Sequence, residues 1–208
     1  MIPGTQLCAT LAVASLAFVS SCASWKKFAY EGFGRDRSQQ PDQVVAALGL
    51  QPGEQVADLG AGGGYFTFRL ADAVGPRGRV YAIDLDPDMV DYLKRQAAER
   101  GYHNVEVIEA TADDPRLPAG SVDLLFTCNT YHHIGERSAY FARAKAALRP
   151  GGRVAIIDMN GSGWFAWLFG HATNPATIRS EMEGAGYTLD REHDFLSQQS
   201  FLVFAATQ

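Results

Sequence analysis

Apolar and polar positions along the chain fall into two alternating kinds of run. Short runs rich in Val, Ile, Leu and aromatics read as strands at 55–59 (QVADL), 79–84 (RVYAID), 104–109 (NVEVIE), 122–127 (VDLLFT) and 153–158 (RVAIID). Helical patterns fall between them at 65–74, 87–100 and 136–148. A shorter helix is expected after Pro41, in DQVVAALGL, stopped by Gly49 and by Gln51-Pro52-Gly53. Apolar strands separated by helices predict a parallel sheet covered on both faces. Right-handed crossovers put every strand's C-terminal end on one edge, where ligands of such sheets bind. The tail departs from this rhythm: residues 187–206 give two strand-like runs joined by a polar loop with no helix between them. That is a hairpin, so the last strand is expected to run antiparallel to the rest. The predicted architecture is a doubly wound α/β domain. Its seven-stranded sheet is mostly parallel and carries an antiparallel C-terminal hairpin strand.

The first forty residues do not join this pattern. Residues 7–24 (LCATLAVASLAFVSSCAS) are apolar, small and uncharged. The run is short and weakly hydrophobic for a spanning helix, which needs about 20 strongly apolar residues, and fits the apolar core of a secretory signal better. Val19-Ser20-Ser21-Cys22 also resembles the lipobox of bacterial lipoproteins. Against export, residues 1–6 carry no Lys or Arg, whereas Lys26, Lys27, Arg35 and Arg37 follow the apolar run; that asymmetry favours a cytoplasmic domain behind an uncleaved anchor. A start codon placed too far upstream is the third alternative. The expected organisation is a signal, lipoprotein-like or anchor segment at 1–22, a polar tether at 23–40 and one folded domain at 41–208. In the first two readings the protein is membrane-associated through its N-terminus, on a side left open.

Composition narrows the function classes. A chain of 208 residues with 47% hydrophobic and 20% charged content is a globular protein of one domain with a sizeable core. Its net charge of −5 argues against a nucleic-acid-binding surface, which needs a basic stripe. Cys8, Cys22 and Cys128 are too few for a disulfide framework or a cysteine metal cluster, and the adjacent His132 and His133 do not share a helix face. No metal is expected.

The glycine-rich turn in VADLGAGGGYF, residues 56–66, sits between a strand and a helix and should bring bare main chain to a ligand. A nucleoside-triphosphate loop needs Gly-Lys-Ser/Thr after its glycines, and here Tyr65 and Phe66 follow Gly64. A dinucleotide turn needs G-x-G-x-x-G. Gly60 and Gly62 fit, but Tyr65 stands at the third glycine position and hinders close approach of helix to strand. With no basic side chain beside the turn for a pyrophosphate, the pattern favours a ligand without phosphate.

This turn resembles the D-x-G-x-G-x-G motif of class I S-adenosylmethionine-dependent methyltransferases. Other segments match that family in order: VYAIDLDPDM, ATADDPRLPAGSVDLLFT and ALRPGGRVAIID, so the resemblance spans about 41–206. It implies a Rossmann-like methyltransferase fold, with S-adenosyl-L-methionine as cofactor and a small-molecule methyl acceptor. It implies a cofactor site made of Asp58, Gly60, Ala61, Gly62, Gly64, Asp84, Leu85, Asp113 and Asn129. Asp84 would hold both ribose hydroxyls, since a carboxylate is an acceptor only. Asp113 would receive the adenine amino group, with Asp114 competing for that role. Asp58 would orient the turn or meet the methionine amino group.

A sulfonium methyl donor is already activated, so the protein mainly aligns the partners and excludes water. A general base is needed only where the acceptor must lose a proton. Candidates for base or acceptor contact lie after the fourth strand, in TCNTYHHIGER: Tyr131, His132 and His133. Asn129 is not followed by proline, unlike the motif of amino-methylating nucleic-acid enzymes, and Cys128 is not preceded by proline, unlike a cytosine-carbon nucleophile. The aromatic stretch GSGWFAWLFGHATNP, residues 161–175, offers Trp164 and Trp167 to an apolar acceptor, a membrane interface or the core. Two other readings remain open at this point: a non-catalytic adenosyl-binding module, and a nicotinamide-dinucleotide oxidoreductase, which Tyr65 disfavours.

Overall fold

The computed structural model describes residues 35–162 and 172–207. Its seven strands form one sheet in the order β3-β2-β1-β4-β5-β7-β6. They are β1 (Gln55–Leu59), β2 (Arg79–Asp84), β3 (Val105–Glu109), β4 (Val122–Cys128), β5 (Leu148–Met159), β6 (Tyr187–His193) and β7 (Gln199–Ala206). β1 to β5 pair in parallel, and β7 runs antiparallel to both β5 and β6. The expected fold class is borne out, terminal hairpin included.

The helices are α1 (Arg35–Gln39), α2 (Pro41–Leu48), α3 (Thr67–Val74), α4 (Pro87–Glu99), α5 (Arg137–Ala144) and α6 (Pro175–Gly184). Successive side chains of a strand point to opposite faces, and this period divides the core in two. Ala57, Leu125, Ile156, Leu202 and Phe204 pack under α5 and α6 with Phe141, Ile178 and Met182. Val56, Leu124, Ala155, Phe201 and Val203 pack under α2 and α3 with Val44, Leu70 and Val74. Strands buried on both faces read as unbroken apolar runs, which is why they were visible in the sequence.

Three elements differ from expectation. Residues Arg35–Gln39 of the segment read as a tether form α1, and its Gln39 is buried. β5 begins at Leu148, five residues before its apolar run, because Leu148 pairs with Val122 on β4. α6 fills a stretch to which the hydrophobic pattern assigned nothing. Asn174 caps it by accepting from the Ala176 N–H at 2.8 Å, with Pro175 as first helical residue. That Asn-Pro start was the available signal. Residues 1–34, including the expected signal or anchor, lie outside the described residues, as do Trp164 and Trp167.

Candidate active site

The strand order reverses between β1 and β4: the chain steps from β1 outward to β2 and β3, then returns to the other side of β1. In such sheets the reversal opens a crevice at the strands' C-terminal ends. Along this edge lie Asp84 on β2, Asp58 and the turn 60–64 after β1, Cys128 and the segment 129–133 after β4, and Asp158 on β5. Thr127 Oγ1 donates to the Leu59 carbonyl at 3.0 Å and ties the two central strands together at this edge.

The turn spends its own donors. Gly60 and Ala61 N–H both bond the Ile83 carbonyl, at 2.8 and 3.0 Å, and Gly64 N–H bonds the Ala61 carbonyl at 2.9 Å. The Gly62 N–H donates to Asp84 Oδ2 at 2.8 Å. This corrects the expectation that the turn brings unpaired main chain to a ligand. A phosphate cradle needs those N–H groups for the anion; here those of Gly60, Ala61 and Gly62 hold the turn to β2 and that of Gly64 closes the turn on itself, in keeping with a ligand lacking phosphate. The glycines are required for space and conformation. Gly60 has φ +76°, and a Cβ there would stand 2.1 Å from Thr130 Oγ1. At Gly64, with φ +83°, it would stand 2.5 Å from the Phe68 ring.

Asp58 is 3% exposed and accepts from Thr67 Oγ1 at 2.6 Å. Burial pushes its carboxyl up to about 6; the neighbouring Asp84 charge adds to this, while Thr67 and Arg35 oppose it. Cys128 is pushed up to about 12, chiefly by burial, so its sulfur stays a thiol. On the far side of β4, His132 Nδ1 lies 2.7 Å from Asp158 Oδ1. The Asp158 side chain is 0% exposed, and its second oxygen, Oδ2, is buried without a hydrogen-bond partner among the described residues. An ionised carboxylate accepts only, so Nδ1 is the donor of this bond.

A family model described as a methyltransferase domain matches residues 50–199. The chain belongs to this methyltransferase domain family. It is 35% identical over 106 residues to an aklanonic acid methyltransferase of Streptomyces sp. (strain C5), covering 51% of this chain and 48% of that protein. It is 37% identical over 106 residues to a nocamycin O-methyltransferase of Saccharothrix syringae, covering 51% and 38%. The chain thus spans half or less of the length of these curated relatives. Among solved structures, a SAM-dependent methyltransferase from Aquifex aeolicus superposes with a TM-score of 0.81 at 25% identity, covering 89% of this chain and 98% of that one.

Several side chains of this methyltransferase domain suit an adenosyl ligand. The nearby Asp86 caps α4, its side chain accepting from the Asp88 N–H at 2.9 Å. Asp84 Oδ1 takes the Asp86 N–H at 3.0 Å and Oδ2 takes Gly62, which aims the carboxylate and leaves further lone pairs on each oxygen. Leu85 beside it is 64% exposed, the one large hydrophobic side chain so bare among the described residues. An apolar surface next to a carboxylate at the sheet edge fits a flat base over a ribose. The Ala110 N–H bonds the Asp84 carbonyl at 2.9 Å and brings the loop after β3 alongside. There Asp113 accepts from Thr111 Oγ1 at 2.9 Å, while Asp114 accepts from the Arg116 N–H at 2.7 Å. Both carboxylates are exposed and tied into the loop. Asn129 adopts φ +56°, and its Oδ1 accepts from Gln199 Nε2 at 2.7 Å.

The three candidates after β4 separate. Tyr131 is 0% exposed and stacks on Phe141, and its hydroxyl donates to Glu181 Oε2 at 2.7 Å. Arg137 grips the same Glu181 through two bonds of 2.7 Å. Burial and Glu181 together raise the Tyr131 hydroxyl far above its ordinary value, so Tyr131 is a core residue joining this loop to α6. His133 is exposed, its ring 4.0 Å from that of His132. His132 has the buried Asp158 carboxylate behind it. Asp158, Gln199, Gln39 and Arg35 were not foreseen at the site. Asp158 ends an apolar run, the one sequence signal it had. The others arrive from distant elements and had none. Among the described residues no group of three or more His, Cys, Asp or Glu is placed to hold a metal ion.

Proposed function

We propose that this chain transfers a methyl group from S-adenosyl-L-methionine to a hydroxyl-bearing small molecule, with His132 as general base. The family assignment supports the donor, and the His132–Asp158 pair carries the choice of acceptor. When bound, the donor supplies an electrophilic methyl group on a sulfonium. Asp84 and Leu85 hold ribose and base, and Asp58 takes the ammonium of the amino-acid end. His132 Nε2 accepts the proton that a hydroxyl must lose as its oxygen is methylated. Asp158 holds the ring in that tautomer and stabilises the cation that forms; this is why a half-satisfied buried carboxylate is tolerated there. A donor–acceptor pair that needed no deprotonation would give this arrangement no task. The naming of one relative as an O-methyltransferase agrees with this reading.

The acceptor is lipophilic in this proposal, and the chain is membrane-associated through residues 1–22. The support is the sequence: the apolar leader and the aromatic stretch around Trp164 and Trp167. None of the described helices is long and apolar enough to cross a membrane. The test is incubation of the full chain with methyl-labelled donor and paired lipophilic compounds, each with a free hydroxyl or with that hydroxyl already methylated. Label is expected only in the free-hydroxyl members. Equal labelling of both members, or labelling at nitrogen or carbon alone, would overturn the O-methyl assignment.

A further inference from the structure

The starts of the parallel strands share one edge of the sheet, opposite the candidate active site, and that edge carries a cleft of about 460 Å³. Its floor is Gln55 and Arg79, the first residues of β1 and β2, with Asn104 just before β3. One wall is the end of α3 and the turn 75–78; the other is the turn 101–104 between α4 and β3. Protein donors close both helix ends. Asn104 Nδ2 donates to the Ala71 and Gly75 carbonyls at 2.9 and 3.0 Å, which also ties wall to wall. The Gly101 and Tyr102 N–H groups bond the Ala98 and Ala97 carbonyls at 3.2 and 2.9 Å. The Tyr102 hydroxyl reaches both oxygens of Asp72, at 3.0 and 3.1 Å, and its ring packs on Phe68, centres 4.9 Å apart. A Cβ at Gly78 would stand 2.6 Å from the Glu54 carbonyl oxygen, so glycine is what lets that turn lie against the start of β1. The cleft is therefore preformed, and its volume is within the range of small-molecule sites, about 300–1,000 Å³. What it leaves unspent are donors. Among the described residues the side chains of Arg77, His103 and Gln55 have no hydrogen bond or ion pair. Arg79 spends one N–H on Glu106 Oε2, at 2.6 Å, and keeps the others. Against three basic side chains the lining holds one carboxylate, Asp72, which Tyr102 already engages. In a chain with 23 acidic residues against 18 Lys and Arg, that is a local reversal of charge.

We propose that this cleft is a second ligand site, for a small organic anion carrying a phosphate or carboxylate group. Arg77 and Arg79 grip the oxyanion, since a planar guanidinium presents paired N–H groups that match its oxygens. His103 and the Gln55 amide complete the donor set, and the Tyr102 ring and Pro76 flank the body of the ligand. The site lies at the other edge of the sheet from Asp84 and Asp58, so its ligand does not compete with the methyl donor. The inference stands on the cleft alone and needs no assumption about the acceptor.

The test is calorimetric titration of the full-length wild-type, Arg77→Ala, His103→Ala and Arg95→Ala proteins with glycerol 3-phosphate, with succinate and with glycerol. All three replaced side chains are exposed, so the fold is expected to survive each change. Wild-type protein is expected to bind at least one of the two anions and not glycerol; which of them binds separates a phosphate ligand from a carboxylate one. A lost charge-assisted contact weakens binding about 10- to 100-fold, and Arg77→Ala should lose that much, with a smaller loss for His103→Ala. Arg95→Ala, on α4 and outside the cleft, should bind as wild type does. S-adenosylhomocysteine affinity should be the same with and without saturating anion. No heat from either anion, equal weakening in Arg77→Ala and Arg95→Ala, or displacement of the anion by S-adenosylhomocysteine overturns the proposal.

Discussion

His132 Nδ1 and Asp158 Oδ1 stand 2.7 Å apart across two neighbouring strands, with the carboxylate fully buried. They are 26 residues apart in the chain, and the parallel pairing of β4 with β5 brings them together: Cys128 is in register with Ile157, one residue before Asp158. His132→Ala is expected to lower kcat about 10²- to 10⁴-fold, the usual worth of a positioned base. Asp158→Asn should lower it as well, by presenting the wrong tautomer. Calorimetry with S-adenosylhomocysteine should give wild-type affinity for both variants. Loss of donor binding in parallel with turnover would assign the pair to structure instead.

Asp84 braces the glycine turn and, in the proposed site, also holds the ribose. Asp84→Ala removes the acceptor for the Gly62 and Asp86 N–H groups, so the glycine turn loses its tie. Affinity for S-adenosylhomocysteine and for 5′-methylthioadenosine should fall together by at least about tenfold, since both carry the ribose. Thermal unfolding should show a loss of about 1–3 kcal/mol from the stranded N–H groups. Unchanged binding of both compounds would remove Asp84 from the site.

Donor affinity should depend on pH through Asp58. Burial holds its carboxyl at about 6 against 3.8 unperturbed. The folded protein therefore keeps a proton the unfolded chain has shed, so this group's contribution to stability declines as pH rises from about 4 to 6 and is level above that. Binding runs the other way, because an ammonium prefers the ionised carboxylate. Affinity for S-adenosylhomocysteine should rise as pH passes up through about 6. The step should vanish in Asp58→Asn and be absent for 5′-methylthioadenosine. The same step in Asp58→Asn would assign it to another group.

Glu181 joins α6 to the loop after β4 by accepting from Tyr131 and Arg137. Arg137 and Glu181 are each about a quarter exposed, so solvent screens part of the pair. Glu181→Ala is expected to cost about 1–3 kcal/mol, mostly because the buried Tyr131 hydroxyl loses its acceptor. Tyr131→Phe should keep kcat within about threefold, since no proton passes through it. A hundredfold loss with an unaltered unfolding midpoint would return Tyr131 to the catalytic set.

Trp164→Ser with Trp167→Ser tests the lipophilic acceptor. A rise of at least about tenfold in KM for a lipophilic substrate, with donor affinity unchanged, is expected if these rings cover the acceptor. Unchanged membrane partition and turnover would remove both functional readings of that stretch.

The sheet, and the turn and carboxylate proposed to hold the donor, were legible in the chain because their signals are local. Both-face burial makes β1, β2, β4 and the later part of β5 apolar runs, β3 shows an alternating Val-Glu-Val-Ile-Glu, and the glycines and Asp84 sit within one strand–turn–helix–strand stretch. α6 escaped because a cap and a proline are weak signals without a strong apolar stripe to follow; the two buried side chains of that helix are Ile178 and Met182.

By itself, then, the sequence determined the succession of strands, the helices of the parallel part of the sheet and the hairpin at the end. Short-range propensity and spacing are enough for these. Only the tertiary structure decided that His132 meets the buried Asp158, that Tyr131 belongs to the core, and that Arg35, from a segment read as tether, stacks on Tyr65. Such facts depend on which strands become neighbours and which helix covers an edge, and contacts between elements distant in the chain leave no periodicity to read.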